Sequence, residues 1–347
     1  MHRCLQLAQL GAGNTAPNPM VGAVLVYGDR GIGEGYHQQY GLPHAEVNCI
    51  NRVQKDDEHL ISSSTLYVSL EPCAHFGKTP PCADLVIKHA IPLVVVGCRD
   101  PFKQVNGKGI EKLQNAGVKV IQGVLEEECK DLNKRFFVFN LEQRPYIVLK
   151  WAESNNGMIG KADGSKIAIS NAFTNRLVHK WRGEEAGIMV GTNTAAYDDP
   201  QLNTRLWPGK VPVRLVLDLD LRLSSHLRVF DQQQRTTIFN AVKQENSGQV
   251  LYQKVERDKP LLPQILNACY QLNIQSVLVE GGARLLQTFI DAGLWDEARV
   301  IRNNELIIEN GLPAPLLKNQ SIHHSENHFA DTIHYYTPNT SRLTAFN

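Results

Sequence analysis

Short apolar runs alternate with segments of helical spacing along most of this chain, and that alternation confines it to layered α/β architectures. Residues 21–27, 65–70, 93–97 and 118–121 have the length and β-branched content of buried strands. Between them, residues 44–53, 83–90 and 109–116 carry apolar side chains at helical intervals. A second series begins at Tyr146 with a strand over 146–150, a helix over 171–182 and strands over 188–190 and 213–218. It continues with helix 261–272, strand 276–280 and helix 283–292. Residues 126–140 read as one helix, 232–259 as a strand among surface loops, and the last thirty residues carry little pattern. A polar stretch with a proline, Glu142-Gln143-Arg144-Pro145, separates the two series, so domains are expected over 1–143 and 144–347. A length of 347 residues suits two domains of ordinary size.

A net charge of +1 gives no overall attraction to nucleic acid or to an anionic membrane, and neither partner is expected. No apolar run approaches the roughly 20 residues that span a bilayer. The opening Met1-His2-Arg3-Cys4-Leu5 lacks the apolar stretch of a secretory signal, so a cytoplasmic location is expected. Seven irregularly spaced cysteines form no disulfide framework in such a compartment, and most read as small buried apolar residues. Cys73 and Cys82 are the exceptions.

His44-Ala45-Glu46 opens an expected helix, Pro72-Cys73 follows the strand at 65–70, and Cys82 comes directly after Pro80-Pro81. One imidazole and two thiolates are three of the four ligands zinc takes, which leaves the position for water that a catalytic site needs. Zinc lowers the pKa of bound water to about 7. Glu46 sits beside a ligand without being one and suits proton transfer. H-x-E followed by P-C-x-x-C is the signature of zinc deaminases. Here eight residues, not two, separate the cysteines. His-Ala-Glu alone, or two cysteines alone, are common without any metal; in this order, each at a helix start, they point to deaminase chemistry. The longer insert between the cysteines carries His75, Lys78 and Thr79, groups suited to a phosphate. Farther on, Ser276-Val277-Leu278-Val279-Glu280-Gly281-Gly282 reads as a strand running into a glycine turn and a helix start, a place where an anion can bind.

Thr15-Ala16-Pro17-Asn18-Pro19-Met20-Val21-Gly22, Gly35-Tyr36-His37, His44-Ala45-Glu46 and Glu71-Pro72-Cys73-Ala74-His75 through Cys82 resemble the deaminase domain of the bifunctional deaminase–reductases of riboflavin biosynthesis. The second half is similar to the reductase domain of the same family, from Arg144-Pro145-Tyr146 through Asp198-Asp199-Pro200 to Glu280-Gly281-Gly282. The resemblance implies a cytidine-deaminase-like three-layer domain followed by a dihydrofolate-reductase-like domain. Zinc held by His44, Cys73 and Cys82, with Glu46 as proton carrier, would release ammonia from a diaminopyrimidinone ribose phosphate. NADPH would then reduce the ribosyl group to ribityl. Asn18 and His37 are implied beside the pyrimidine. Ala152, Thr194, Asp198 and the turn Gly281, Gly282, Ala283, Arg284 and Leu285 are implied at NADPH. Lys150, Arg182, Asp199, Leu202, Arg205 and Glu280 are implied around the reductase substrate. The resemblance also implies a homo-oligomer, dimer or tetramer. Two positions depart from the family's usual pattern: Asn156 stands where an acid is usual, and Ala168 where a tryptophan would add stacking area. They raise the alternative of a deaminase with a degenerate, non-catalytic reductase-like domain.

Overall fold

The computed structural model describes residues 1–76, 80–102 and 105–339. It divides into two units, Met1–Glu142 and Gln143–Asn347.

In the first unit, helix α1 (His2–Gln9) precedes strands β1 (Gly22–Tyr27) and β2 (Arg30–Tyr36) and helix α2 (Ala45–Ile50). Strand β3 (Thr65–Leu70), helix α3 (Cys82–Lys88), strand β4 (Leu93–Cys98), helix α4 (Lys108–Asn115) and strand β5 (Lys119–Ile121) follow. The sheet order is β2-β1-β3-β4-β5, antiparallel on one side of β3 and parallel on the other. Alternation along β1 sorts its side chains between two cores. Ala23 and Leu25 join Ala45, Cys49, Ala83 and Val86 from α2 and α3, whereas Val24 joins Cys4 and Leu7 from α1. The unit is therefore a three-layer sandwich, as expected.

The expected helix at 126–140 is two: α5 (Glu126–Leu132) and α6 (Lys134–Glu142). Asn133 breaks it because its side chain serves another segment. Its Oδ1 accepts from the Met20 N–H at 2.8 Å and its Nδ2 donates to the Met20 carbonyl at 2.9 Å, fixing the stretch that carries Asn18.

The second unit runs β6 (Tyr146–Glu153), β7 (Met158–Lys161), α7 (Ala172–Glu184), β8 (Gly187–Gly191), α8 (Thr192–Asp198), β9 (Val213–Leu217) and β10 (Thr236–Asn240). It continues with β11 (Glu245–Ser247), β12 (Val250–Lys254), α9 (Leu261–Gln271), β13 (Ser276–Val279), α10 (Ala283–Asp291), β14 (Glu297–Asn303), β15 (Gly311–Pro313), β16 (Gln320–His328) and β17 (Asp331–Pro338). One ten-stranded sheet, β11-β12-β10-β9-β8-β13-β6-β14-β17-β16, is parallel from β12 through β14 and antiparallel at both edges. Ile147, Leu149, Trp151 and Met189 pack with α9 and α10 on one face; Ile188, Val190 and Val216 pack with Ala195 and Leu202 on the other. Within 232–259 lie three strands, not one, and the unpatterned tail forms the β16–β17 hairpin. Among the described residues no helix is long and apolar enough to cross a membrane.

Candidate active sites

The metal site grows from three chain ends. His44 is the residue just before α2, Cys73 lies in the turn leaving β3, and Cys82 is the first residue of α3 behind Pro81. The turn is closed by the Ala83 N–H on the Cys73 carbonyl at 3.1 Å and the Cys82 N–H on Cys73 Sγ at 3.3 Å. His44 Nδ1 lies 3.6 Å from Cys73 Sγ and 3.4 Å from Cys82 Sγ. A tetrahedral zinc with bonds of about 2.3 Å to sulfur and 2.0 Å to nitrogen puts such atoms about 3.5 Å apart, so the donor set fits the ion. It is the one such group among the described residues. A hydrogen bond from the Cys82 thiol, helped by His44 and the Cys82 N–H, pulls the Cys73 thiol down to about 4 against its burial, so one thiolate is ready for a cation.

Glu46 lies in the first turn of α2 and is buried, and burial raises its carboxyl above the ordinary range. His37 donates from Nδ1 to the Pro43 carbonyl at 3.1 Å, which leaves Nε2 to accept from Asn18 Nδ2 at 3.1 Å. Its ring meets that of His44 edge-on, with centroids 5.3 Å apart. The structure thus brings His44, Cys73, Cys82, Glu46, His37 and Asn18 together. His75 is two residues past Cys73; its Nδ1 is buried and has no hydrogen-bond partner among the described residues. Lys78 and Thr79 lie outside the described residues.

In the second unit, the register of β6 and β13, with Leu149 opposite Val279, brings Lys150, in the middle of β6, beside Glu280, which directly follows the carboxyl end of β13. Ligands of open α/β sheets bind at such ends. Arg182, from α7, forks onto Glu280 through Nε at 2.8 Å and Nη2 at 2.7 Å. Burial would raise the Glu280 carboxyl, but Arg182 and then Lys150 outweigh it and hold it at about 2. Burial pushes the Lys150 ammonium down, with Glu280 opposing and Arg182 adding. Arg182 Nη1 also reaches the Asn203 carbonyl at 3.3 Å, and Arg205 donates to Asn203 Oδ1 at 3.2 Å. Leu202 is buried with a left-handed backbone. Asp199 is turned elsewhere: its Oδ1 accepts the Arg228 N–H at 2.7 Å and its Oδ2 lies 3.4 Å from Arg228 Nε.

The turn at Gly281–Gly282 fits a nucleotide cofactor. A Cβ on Gly281 would lie 2.8 Å from Val190, so that position keeps the backbone against the neighbouring strand, and Gly282 precedes α10 with Thr194 Oγ1 close by. Leu285 packs in the core, Ala283 is half-buried and Arg284 exposed. Ala152 is half-buried near the end of β6; Asp198 ends α8, its carboxyl raised by burial. Two residues were not singled out from the sequence. His179, one helical turn before Arg182, is buried, with no partner for Nδ1 among the described residues; burial, with Arg182 and Arg205 adding, pushes it down to about 4. Its spacing of three from Arg182 was the available signal. The second is Glu71, a buried acid two residues before Cys73.

Asn156 is explained by its neighbours. Its Nδ2 donates to the Ile308 carbonyl at 2.9 Å while its Oδ1 accepts the Ile308 N–H at 3.1 Å and the Ser154 hydroxyl at 2.6 Å. Pairing with both backbone groups of Ile308 needs an amide, which a carboxylate cannot replace. Ala168 is exposed, and nothing in the structure explains it.

A three-ligand zinc-type site in one unit and a basic and acidic cluster at strand ends in the other define a deaminase-type domain joined to a reductase-type domain. The family model for the cytidine and deoxycytidylate deaminase zinc-binding region matches residues 1–98, and that for the RibD C-terminal domain matches 145–304. The riboflavin biosynthesis protein RibD of Aquifex aeolicus is 40% identical over 301 residues, 85% of this chain and 83% of that one. The Escherichia coli protein of the same name is 34% identical over 317 residues, 86% and 84% of the two chains. Among solved structures, the Thermotoga maritima diaminohydroxyphosphoribosylaminopyrimidine deaminase/5-amino-6-(5-phosphoribosylamino)uracil reductase is 36% identical, covers 97% of both chains and superposes with a TM-score of 0.87. Acinetobacter baumannii RibD gives 30%, 97% of both chains and 0.88. The chain belongs to the RibD family of bifunctional riboflavin biosynthesis deaminase–reductases.

Proposed function

We propose that this chain deaminates 2,5-diamino-6-(5-phosphoribosylamino)pyrimidin-4-one and then reduces the ribosyl group of the product to ribityl with NADPH. The observation that carries the first step is the His44–Cys73–Cys82 donor set with the buried Glu46 beside it. Bound zinc supplies the Lewis acidity that makes water a nucleophile at neutral pH. Glu46, its carboxyl raised by burial, takes one proton from the water and delivers it to the ring nitrogen, then relays the second to the amino group, which leaves as ammonia. His37 and Asn18, locked to one another, orient the pyrimidine, and His75, Lys78 and Thr79 serve the phosphate.

In the second unit, Ala152, Thr194, Asp198 and the turn Gly281–Leu285 would hold NADPH, which would supply the hydride. Lys150, with its proton loosened by burial, protonates the ring oxygen as the ribose opens. Glu280 keeps Lys150 and Arg182 in place. Arg205 and Arg182 take the phosphate, and the backbone at Leu202 and Asp199 shapes the loop between them. We also infer a cytoplasmic, homo-oligomeric enzyme.

Replacing Glu46 with Gln tests the assignment. Ammonia release should fall at least about 100-fold, the usual worth of a positioned proton carrier. Zinc content and NADPH oxidation on the deaminated intermediate should be unchanged. Undiminished ammonia release would remove Glu46 from the chemistry.

A further inference from the structure

The loop between β4 and α4 is closed by a single side chain. Glu71, the residue two before the ligand Cys73, is buried, 4% exposed, and its carboxylate takes four backbone N–H groups. Oε2 accepts from Gly107 at 2.9 Å and Asp100 at 3.3 Å; Oε1 accepts from Gly109 at 2.9 Å and Ile110 at 3.3 Å. Asp100 and Gly107 are the two ends of the loop, and Gly109 and Ile110 lie in the first turn of α4. A carboxylate there satisfies N–H groups that no turn of the helix precedes. One acid therefore gathers both ends of the loop and the start of the helix onto the strand end that leads into the metal-binding turn.

That loop faces the site. Asp100 is buried and close enough for its carboxyl to be raised by the charges of Glu71 and Cys73, after burial itself. Its Oδ1 accepts the Phe102 N–H at 2.8 Å, turning the chain so that the Phe102 ring stands 6.2 Å from that of His75. His75 in turn has a buried Nδ1 with no partner among the described residues. Gly109 packs so tightly on Pro72 that a Cβ would lie 1.9 Å from its carbonyl oxygen, so the α4 start and the metal-binding turn share one contact. The donor set itself, by contrast, is complete without the loop, since His44, Cys73 and Cys82 come from α2, the turn and α3.

We infer that Glu71 is a positioning residue of the deaminase. It holds Asp100 and Phe102 on one side and Gly107 on the other against the His75 side of the metal-binding turn, and through that wall it governs how tightly the substrate binds rather than how fast the bound substrate reacts. This rests on the deaminase reading above. In Glu71→Gln the carbonyl still accepts from one pair of N–H groups, but the amide nitrogen confronts the other pair with a donor, so one end of the clasp opens.

The test is steady-state ammonia release by the full-length zinc enzyme with the diaminopyrimidinone ribose phosphate, for the natural chain, Glu71→Gln and Gly107→Ala. Gly107 has φ +84°, where an L side chain is strained, so this second variant disturbs the same donor and leaves Glu71 intact. Both variants should raise KM at least about tenfold, with kcat within about twofold, one zinc per chain and normal NADPH oxidation on the deaminated intermediate. If the first unit of Glu71→Gln does not fold, as loss of that unit's thermal transition would report, Gly107→Ala decides the matter. An unchanged KM, or a fall in kcat and zinc content without a rise in KM, overturns the inference. No ammonia from the natural chain would instead refute the deaminase reading on which it stands.

Discussion

His179 and Glu280 show how single side chains of the second unit tie its stability to pH. The ordinary imidazole titrates near 6.5, and in the fold His179 is pushed down to about 4 by burial, Arg182 and Arg205. Between those values the unfolded chain binds a proton that the folded chain does not, so stability falls as pH drops from 6.5 toward 4. Glu280 is shifted in the same direction, from 4.5 to about 2, because Arg182 and Lys150 overcome its burial. Its contribution is present above 4.5 and is lost as pH falls toward 2. The thermal stability of the reductase unit should therefore fall already between pH 7 and pH 5, and His179→Gln should flatten that part of the curve while leaving the steeper loss below pH 4.5. An unaltered profile in the variant would mean that His179 is not the group responsible. The same residues mark what the sequence made readable. Arg182 and Glu280 stand in stretches with family resemblance; His179 has no motif of its own, and only the fold shows that a helix turn brings it to them.

Elements explain why some segments could be read and others not. Strands β4, β8 and β13 are buried on both faces, so their apolar runs are nearly unbroken and the sequence marks them within a residue or two. β2 reads Arg-Gly-Ile-Gly-Glu-Gly-Tyr and escapes that test; at Gly35 a Cβ would lie 2.3 Å from the Cys49 backbone nitrogen, so close packing against α2, not hydrophobicity, decides its residues. In the β16–β17 hairpin β16 is largely exposed and β17 mostly half-buried, and main-chain pairing holds them, which leaves little apolar period to find. The join of β13 to α10 was legible because it needs glycine. Gly281→Ala sets a methyl 2.8–2.9 Å from Val190, which forces the two strands apart. Overpacking of this kind costs about 1–3 kcal/mol, and the displaced turn should weaken NADPH binding. A lowered melting temperature and a raised KM for NADPH, with ammonia release unaltered, are expected. Normal values for both would show that the turn tolerates the methyl and does not bear on the cofactor.

At the scale of the whole molecule, the chain carries two chemistries in two units, each with its own sheet, core and cluster of charged side chains. The overall plan was legible because both sites are built where sequence motifs are densest, at strand ends and helix starts. The alternative of a deaminase with an inert second domain drew on Asn156 and Ala168. Asn156 loses that force, since its amide pairs with both backbone groups of Ile308 as no carboxylate could. In addition, Arg182 and Glu280 keep their buried bidentate ion pair with Lys150 beside it, the arrangement the reductase reading requires.

The direct test is one cuvette holding purified enzyme, zinc, NADPH and the diaminopyrimidinone ribose phosphate, with ammonia and the absorbance of NADPH followed together. Ammonia should appear first, and NADPH should then be consumed until the two amounts are equal. Ammonia released with no loss of NADPH would contradict the two-step account and leave a deaminase joined to a silent partner.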